Sequence, residues 1–123
     1  MPILKNAQMA VIERAKLTRY CLDPRHEDGR HKARVFKTAL GFDRTNADDL
    51  ISAIRTGIMT HAAEHLGETA HGFLWRVDLL IAGPRGKATV RTGWIYEKGK
   101  DVPRLTTAYV LSERSARAAP PIS

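Results

Sequence analysis

Two stretches of this chain hold the residue types that cleavage of a phosphodiester requires. The first, Gly29-Arg30-His31-Lys32-Ala33-Arg34, sets an imidazole among three cations. The second is a set of cations and hydroxyls near the carboxyl end, Arg91, Thr92, Arg104, Thr107 and Tyr109. Metal-free cleavage of RNA needs a group that takes the ribose 2′-OH proton, a group that protonates the leaving oxygen, and a cation beside the five-coordinate phosphorus. Only RNA supplies that hydroxyl. If the first stretch opens a helix, its free backbone N–H groups and positive dipole end also favour a phosphate. Each residue has an ordinary reading as well: Lys and Arg on a basic protein are usually solvated, and Thr and Tyr are common in strands.

Three further features compete with that reading. His61-Ala62-Ala63-Glu64-His65 fits the H-x-x-E-H pattern, in which two His one helical turn apart bind zinc and Glu is the general base. A zinc hydrolase would need a third ligand, with Glu97 or Glu113 the downstream candidates; otherwise the two His sit at an ordinary helix end. Phe73, Trp75, Trp94, Tyr96 and Tyr109 could stack bases as single-strand binders do, or form sheet core. Cys21 falls on an apolar stripe and reads as a small buried hydrophobe rather than a nucleophile.

The elements that must position these residues follow from periodicity. Apolar residues at Val11, Ile12, Ala15, Leu17 and Cys21 predict a helix over 6–22, ended by Pro24, which disfavours helical geometry at Asp23. Ala33, Phe36, Ala39 and Leu40 predict a second helix that stops at Gly41. Thr45 or Asn46 is expected to cap a third, with Asp48 and Asp49 in its first turn, Leu50, Ile51, Ile54, Ile58 and Met59 on its buried side, and an end between His65 and Gly67. Then the period becomes two. Phe73, Trp75, Val77, Leu79 and Ile81 alternate along a half-buried strand, and Gly83-Pro84-Arg85-Gly86 has the Pro and Gly placement of a type I turn. An antiparallel return over 87–96 is expected, then a third strand over 104–111 with Leu105, Thr107, Tyr109 and Leu111 on one face. The sum is a single α+β domain over 1–111, about three N-terminal helices followed by an antiparallel three- to four-stranded sheet. The Ser-, Ala-, Arg- and Pro-rich segment 112–123 reads as a flexible tail.

Composition bounds the function. The 123 residues are 43% hydrophobic, enough for one domain that removes roughly 65% of its unfolded surface from water, and too few for a barrel-sized catalytic scaffold. A single Cys excludes an intramolecular disulfide framework. No apolar run approaches the roughly 18 residues of a membrane helix, and the amino terminus lacks a secretory pattern, so the expected setting is the cytoplasm with no membrane partner. The formal charge is +7, from 20 basic against 13 acidic residues. The cations concentrate between Glu13 and Arg44 and again between Arg85 and Arg104, around a more acidic middle. Converging in space, those blocks would suit phosphates. A non-catalytic module that binds nucleic acid or an acidic protein explains the charge equally well.

Several segments, taken in order, add a resemblance: Lys16-Leu17-Thr18-Arg19-Tyr20 with Leu22-Asp23-Pro24, Gly29 to Phe36, Leu40-Gly41-Phe42, Val90-Arg91-Thr92-Gly93-Trp94-Ile95, and Pro103 to Tyr109. Together they resemble a bacterial domain family of unknown function that occurs at the ends of polymorphic toxins and as small stand-alone proteins beside a short antitoxin-like partner. The likeness spans nearly the whole chain except the tail. Members are similar to the barnase, EndoU, colicin and RelE-like ribonuclease toxins, which also place helices before an antiparallel sheet. The resemblance implies a toxin that is a metal-independent endoribonuclease with no cofactor, with RNA and a small acidic antitoxin as partners. It points to Lys32 and Arg91 for charge stabilisation, Thr107 and Tyr109 for phosphate positioning or proton donation, and His31 or His26 for proton transfer. Around them His26, Arg30, Arg34, Thr92, Trp94 and Arg104 are expected to contact the substrate.

Overall fold

A computed structural model describes residues 2–27 and 29–111, and the expected tail over 112–123 lies outside the described residues. The sheet grows from its central hairpin. β2 (Gly72–Gly83) and β3 (Gly86–Glu97) pair antiparallel about the Gly83-Pro84-Arg85-Gly86 turn, which sets Asp78 opposite Arg91 and Trp75 opposite Trp94. β4 (Arg104–Val110) pairs antiparallel with β3, and β1 (Ala63–Thr69) with β2, giving an open sheet in the order β1-β2-β3-β4.

β4 departs from the simple alternation. Trp94 pairs with Leu105 but Gly93 pairs with Thr107, so one extra residue, Thr106, bulges out between them. A bulge switches the face of every residue beyond it. Leu105 is therefore in the core with Ala108 and Val110, while Thr107 and Tyr109 turn to the opposite face, beside Arg91 and Asp78. The expectation that Leu105 shares a face with Thr107 and Tyr109 fails for this reason.

Three helices cover the other face. α1 (Arg14–Lys16) continues as a π-helical turn over Leu17–Cys21. It starts later than the sequence suggested, because Asn6 is left-handed, Ala7–Met9 is a 3-10 turn, and Val11 pairs in parallel with Arg104 instead of entering a helix. Adjacent β-branched Val11 and Ile12 favour that extended pairing. α2 (Arg30–Val35) runs into a second π-helical turn, Phe36–Leu40, and stops at Gly41, whose φ of 82° is the left-handed geometry that glycine adopts freely. α3 (Ala47–Ile58) buries Leu50, Ile54 and Ile58 and packs on β2, whereas Met59, expected on the buried side, is its C-cap and is exposed because the helix ends at Ile58. Full burial of each of the buried side chains contributes about 1.5–3 kcal/mol. Asn46 stands at the N-cap of α3 as expected but gives it no side-chain cap; instead Asp43 caps the preceding 3-10 turn Arg44–Asn46, its side chain accepting from Thr45 N–H, and Asn46 turns back to accept from Asp43 N–H and donate to Gly41 O.

α3 ends at Ile58, well before His65, because Ala63–Thr69 pairs with β2 as an added strand. Among the described residues no helix is long and apolar enough to cross a membrane.

Candidate active site at the edge of the sheet

The close approach of two helical segments sets the geometry of the site. A Cβ on Gly29 would lie 2.1 Å from Tyr20 O, so only glycine lets the start of α2 lie against the end of the preceding helical segment. That contact brings Tyr20 beside Lys32. The Lys32 ammonium donates to Tyr20 Oη at 2.8 Å and to Thr107 Oγ1 at 3.3 Å, residues 12 and 75 positions away in sequence. It also lies over two aromatic rings, 4.6 Å from the Tyr20 centroid and 5.3 Å from that of Tyr109.

An ammonium has three donors. Two are used here on neutral hydroxyls, and among the described residues no carboxylate lies within ion-pair distance of Lys32. A half-buried cation held by hydroxyls and ring faces, with a donor to spare, is an arrangement that an anion completes.

Arg91 stands nearby in a different electrostatic state. Its Nε and Nη2 each donate at 2.9 Å to the two oxygens of Asp78, a fork-to-fork pair across the hairpin. The Asp78 carboxylate holds the Arg91 guanidinium even more firmly protonated than usual, and the Tyr109 hydroxyl adds to this. Arg91 is the cross-strand partner of Tyr109, whose ring Lys32 also meets. Lys32, Arg91, Thr107 and Tyr109 form one cluster at the β4 edge.

The remaining expected residues divide. His26 adjoins the cluster, its ring edge-on to Tyr20 at 4.9 Å, and its Nδ1 accepts from Gly29 N–H at 3.0 Å, which places the neutral-form proton on Nε2. His31 does not join it: its Nδ1 accepts from Arg34 Nη2 at 2.9 Å, and it lines a separate cavity of about 680 Å³ with Arg30, Arg34, Lys37 and Arg44. Thr92 and Trp94 are corrected outright as substrate contacts. Both are 0% exposed, Trp94 Nε1 donates to Thr92 Oγ1, and Thr92 donates to Val77 O, which spends their polar atoms inside the core. Arg104 is likewise committed, with Glu13 at 3.0 Å and Glu97 at 3.4 Å; the second contact is charge attraction without hydrogen-bond geometry.

The zinc motif loses its geometry. His61 Nδ1 donates to Gly57 O at the end of α3, whereas Glu64 and His65 lie on β1, with Glu64 paired to Arg76, so the two imidazoles are not one helical turn apart. Glu113 lies outside the described residues, among which no group of three potential ligands gathers. Cys21 is fully buried against β4, where burial pushes its thiol pKa up and keeps it protonated.

Sequence reasoning missed two members of the site. Asp78 was legible from the turn, since it lies five residues before Gly83 and Arg91 five after Gly86, which makes them cross-strand partners. Tyr20 carried no comparable signal, because its position depends on how two helical segments meet at Gly29.

The chain is thus an α+β domain whose polar cluster sits where helices meet an edge strand. The family model described as Domain of unknown function (DUF6883) matches residues 3–112, and the chain belongs to that family. Comparisons with curated proteins and with solved structures found no match.

Proposed function

We propose that this protein is a toxin that cleaves RNA without a metal, and that the Lys32 cluster is its active site. The observation that carries the reading is the Lys32 ammonium, bonded to the hydroxyls of Tyr20 and of Thr107 on β4 with no carboxylate among the described residues to neutralise it. A scissile phosphate is the anion that fits. The spare Lys32 donor and the hydroxyls of Thr107 and Tyr109 bind its non-bridging oxygens, and their hold strengthens as charge builds on the phosphorane. Arg91, its charge paired with Asp78, stands across the strands from Tyr109 as a positioning residue.

In the proposed reaction the ribose 2′-oxygen bonds to phosphorus and the bond to the 5′-oxygen breaks. The products are a 2′,3′-cyclic phosphate and a free 5′-hydroxyl. The 2′-OH proton leaves to solvent at this open edge, and the departing oxygen takes a proton from solvent there, while the His26 ring, edge-on to Tyr20, holds that side chain beside Lys32. His31 has no part, since its bonded neighbour is Arg34. The basic cavity beside it, with Arg30, Arg34, Lys37 and Arg44, is where a small acidic antitoxin would find complementary charge.

The test is a pair of oligonucleotides of one sequence, RNA and its fully 2′-O-methylated form. Cleavage of RNA alone, with cyclic phosphate ends, is the expected result. Equal cleavage of both would contradict 2′-OH attack, and stoichiometric protection of RNA without cleavage would make the protein a binding module.

A further inference from the structure

Where the ends of β1, β2 and β3 meet the loop before β4, four aromatic rings and two lysines line a cavity of about 280 Å³ that the cleavage reading leaves unused. Val77, Leu79 and Ile81 are buried beneath the helices, but the same face of β2 runs on outward as Trp75, half-buried, and Phe73, which is 44% exposed. His65 on β1 packs on Trp75 with ring centroids 4.9 Å apart, and Trp75 meets Tyr96 edge-on at 6.4 Å. Lys5, Lys100 and Asp101 complete the lining.

We propose that this cavity is a nucleotide-binding site, with the base stacked on Trp75 and Phe73 and the phosphate held by Lys5 and Lys100. Three features select that ligand class. Ring faces exposed on a folded domain offer stacking to any nucleobase. Two ammonium groups beside them repel the quaternary ammonium ion that an aromatic cage would otherwise suit, and attract a phosphate. Asp101 gives an acceptor for an exocyclic amine, which a purely apolar ligand would leave unused. Lys100 lies 3.8 Å from Glu97 in a solvent-exposed pair, a contact weak enough for a phosphate to replace. The site is also held in shape. Tyr96 Oη donates to Lys5 O at 2.6 Å, and burial pushes the phenol up to about 12, so it stays neutral and keeps the Lys5 backbone against the wall.

The inference stands apart from the cleavage reading, and its test reads binding alone. Trp94 is sealed in the core, so quenching of tryptophan fluorescence by a ligand reports on Trp75. Adenosine 5′-monophosphate should quench saturably, adenosine should bind more weakly, and inorganic phosphate should leave the signal unchanged. Phe73→Ala, at an exposed position, should raise the nucleotide Kd about tenfold, Lys5→Ala and Lys100→Ala should each weaken binding and flatten its salt dependence, and Lys32→Met should bind as the wild type does. No quenching at millimolar nucleotide, wild-type affinity in Phe73→Ala, or preferential quenching by tetramethylammonium would overturn the assignment.

Discussion

Arg91 and Thr92 are neighbours on β3, yet the hydrogen-bond networks they belong to are built for different ends. On the inner face Thr92 gives its proton to Val77 O and receives that of Trp94 Nε1, and every polar atom of the group has a partner away from water. On the outer face Arg91 forks onto Asp78 beside Tyr109, while Lys32 bonds to Tyr20 and Thr107 and faces the Tyr109 ring with one donor over and no described carboxylate to balance its charge. A closed polar network specifies a core, because breaking it strands buried groups. An open one beside an edge strand leaves a cation to be completed by a ligand. Residue types do not separate the two, since each holds a threonine, an aromatic ring and an N–H donor; the strand's alternation does.

The contrast can be tested from both sides. The largest effect is expected from Trp94→Ala, which opens a cavity and strands Thr92: a loss of about 3–5 kcal/mol in urea unfolding. A loss under about 1 kcal/mol would show that this network does not secure the core. Lys32→Met should lower RNA cleavage by about 10²–10³-fold, the scale of removing one charge-stabilising donor, with an unfolding midpoint close to the wild type. Thr92→Val should cost about 1–3 kcal/mol of stability through the unpaired Trp94 N–H and Val77 carbonyl, with cleavage by the folded protein unchanged; a selective loss of cleavage instead would erase the distinction between the networks.

The smallest effect lies outside both. The Thr45 hydroxyl, followed by its backbone N–H, holds the Asp43 carboxyl below its ordinary value of 3.8. A carboxyl whose folded pKa is depressed adds stability above its unfolded pKa and loses it as pH falls through the folded one. The unfolding midpoint should therefore drop as the pH is lowered below about 4, and Asp43→Asn, which keeps a capping side chain without the titration, should flatten that limb. An identical acid limb in the variant would remove Asp43 from the account.

The sequence made the strands far more legible than the helices. Alternation from Phe73 to Ile81 and the Gly83-Pro84-Arg85-Gly86 turn determine the hairpin and its register, and with them the Asp78–Arg91 pair. The bulge at Thr106 had no such signal, because it reflects how β4 fits against Gly93 and Trp94, and it alone decides that Thr107 and Tyr109 leave the core face. The helical period misled at both ends. Val11 and Ile12 fit an apolar stripe and yet extend along Arg104, and His61 to His65 continue the pattern of α3 while β2 offers an unpaired edge to Ala63–Thr69. For the site, side-chain chemistry marked Lys32, Arg91, Thr107 and Tyr109 as candidates, and the fold brings these four together. It could not separate them from Thr92, Trp94 and Arg104, whose partners come from distant segments.

The most direct test of the central claim is incubation of RNA in EDTA with catalytic amounts of wild-type protein, beside Lys32→Met shown to be folded by its unfolding midpoint. The account predicts multiple-turnover cleavage by the wild type, leaving 2′,3′-cyclic phosphate ends, and at least a hundredfold loss in the variant. Undigested RNA in EDTA with the wild type, or equal cleavage by both proteins, would contradict it.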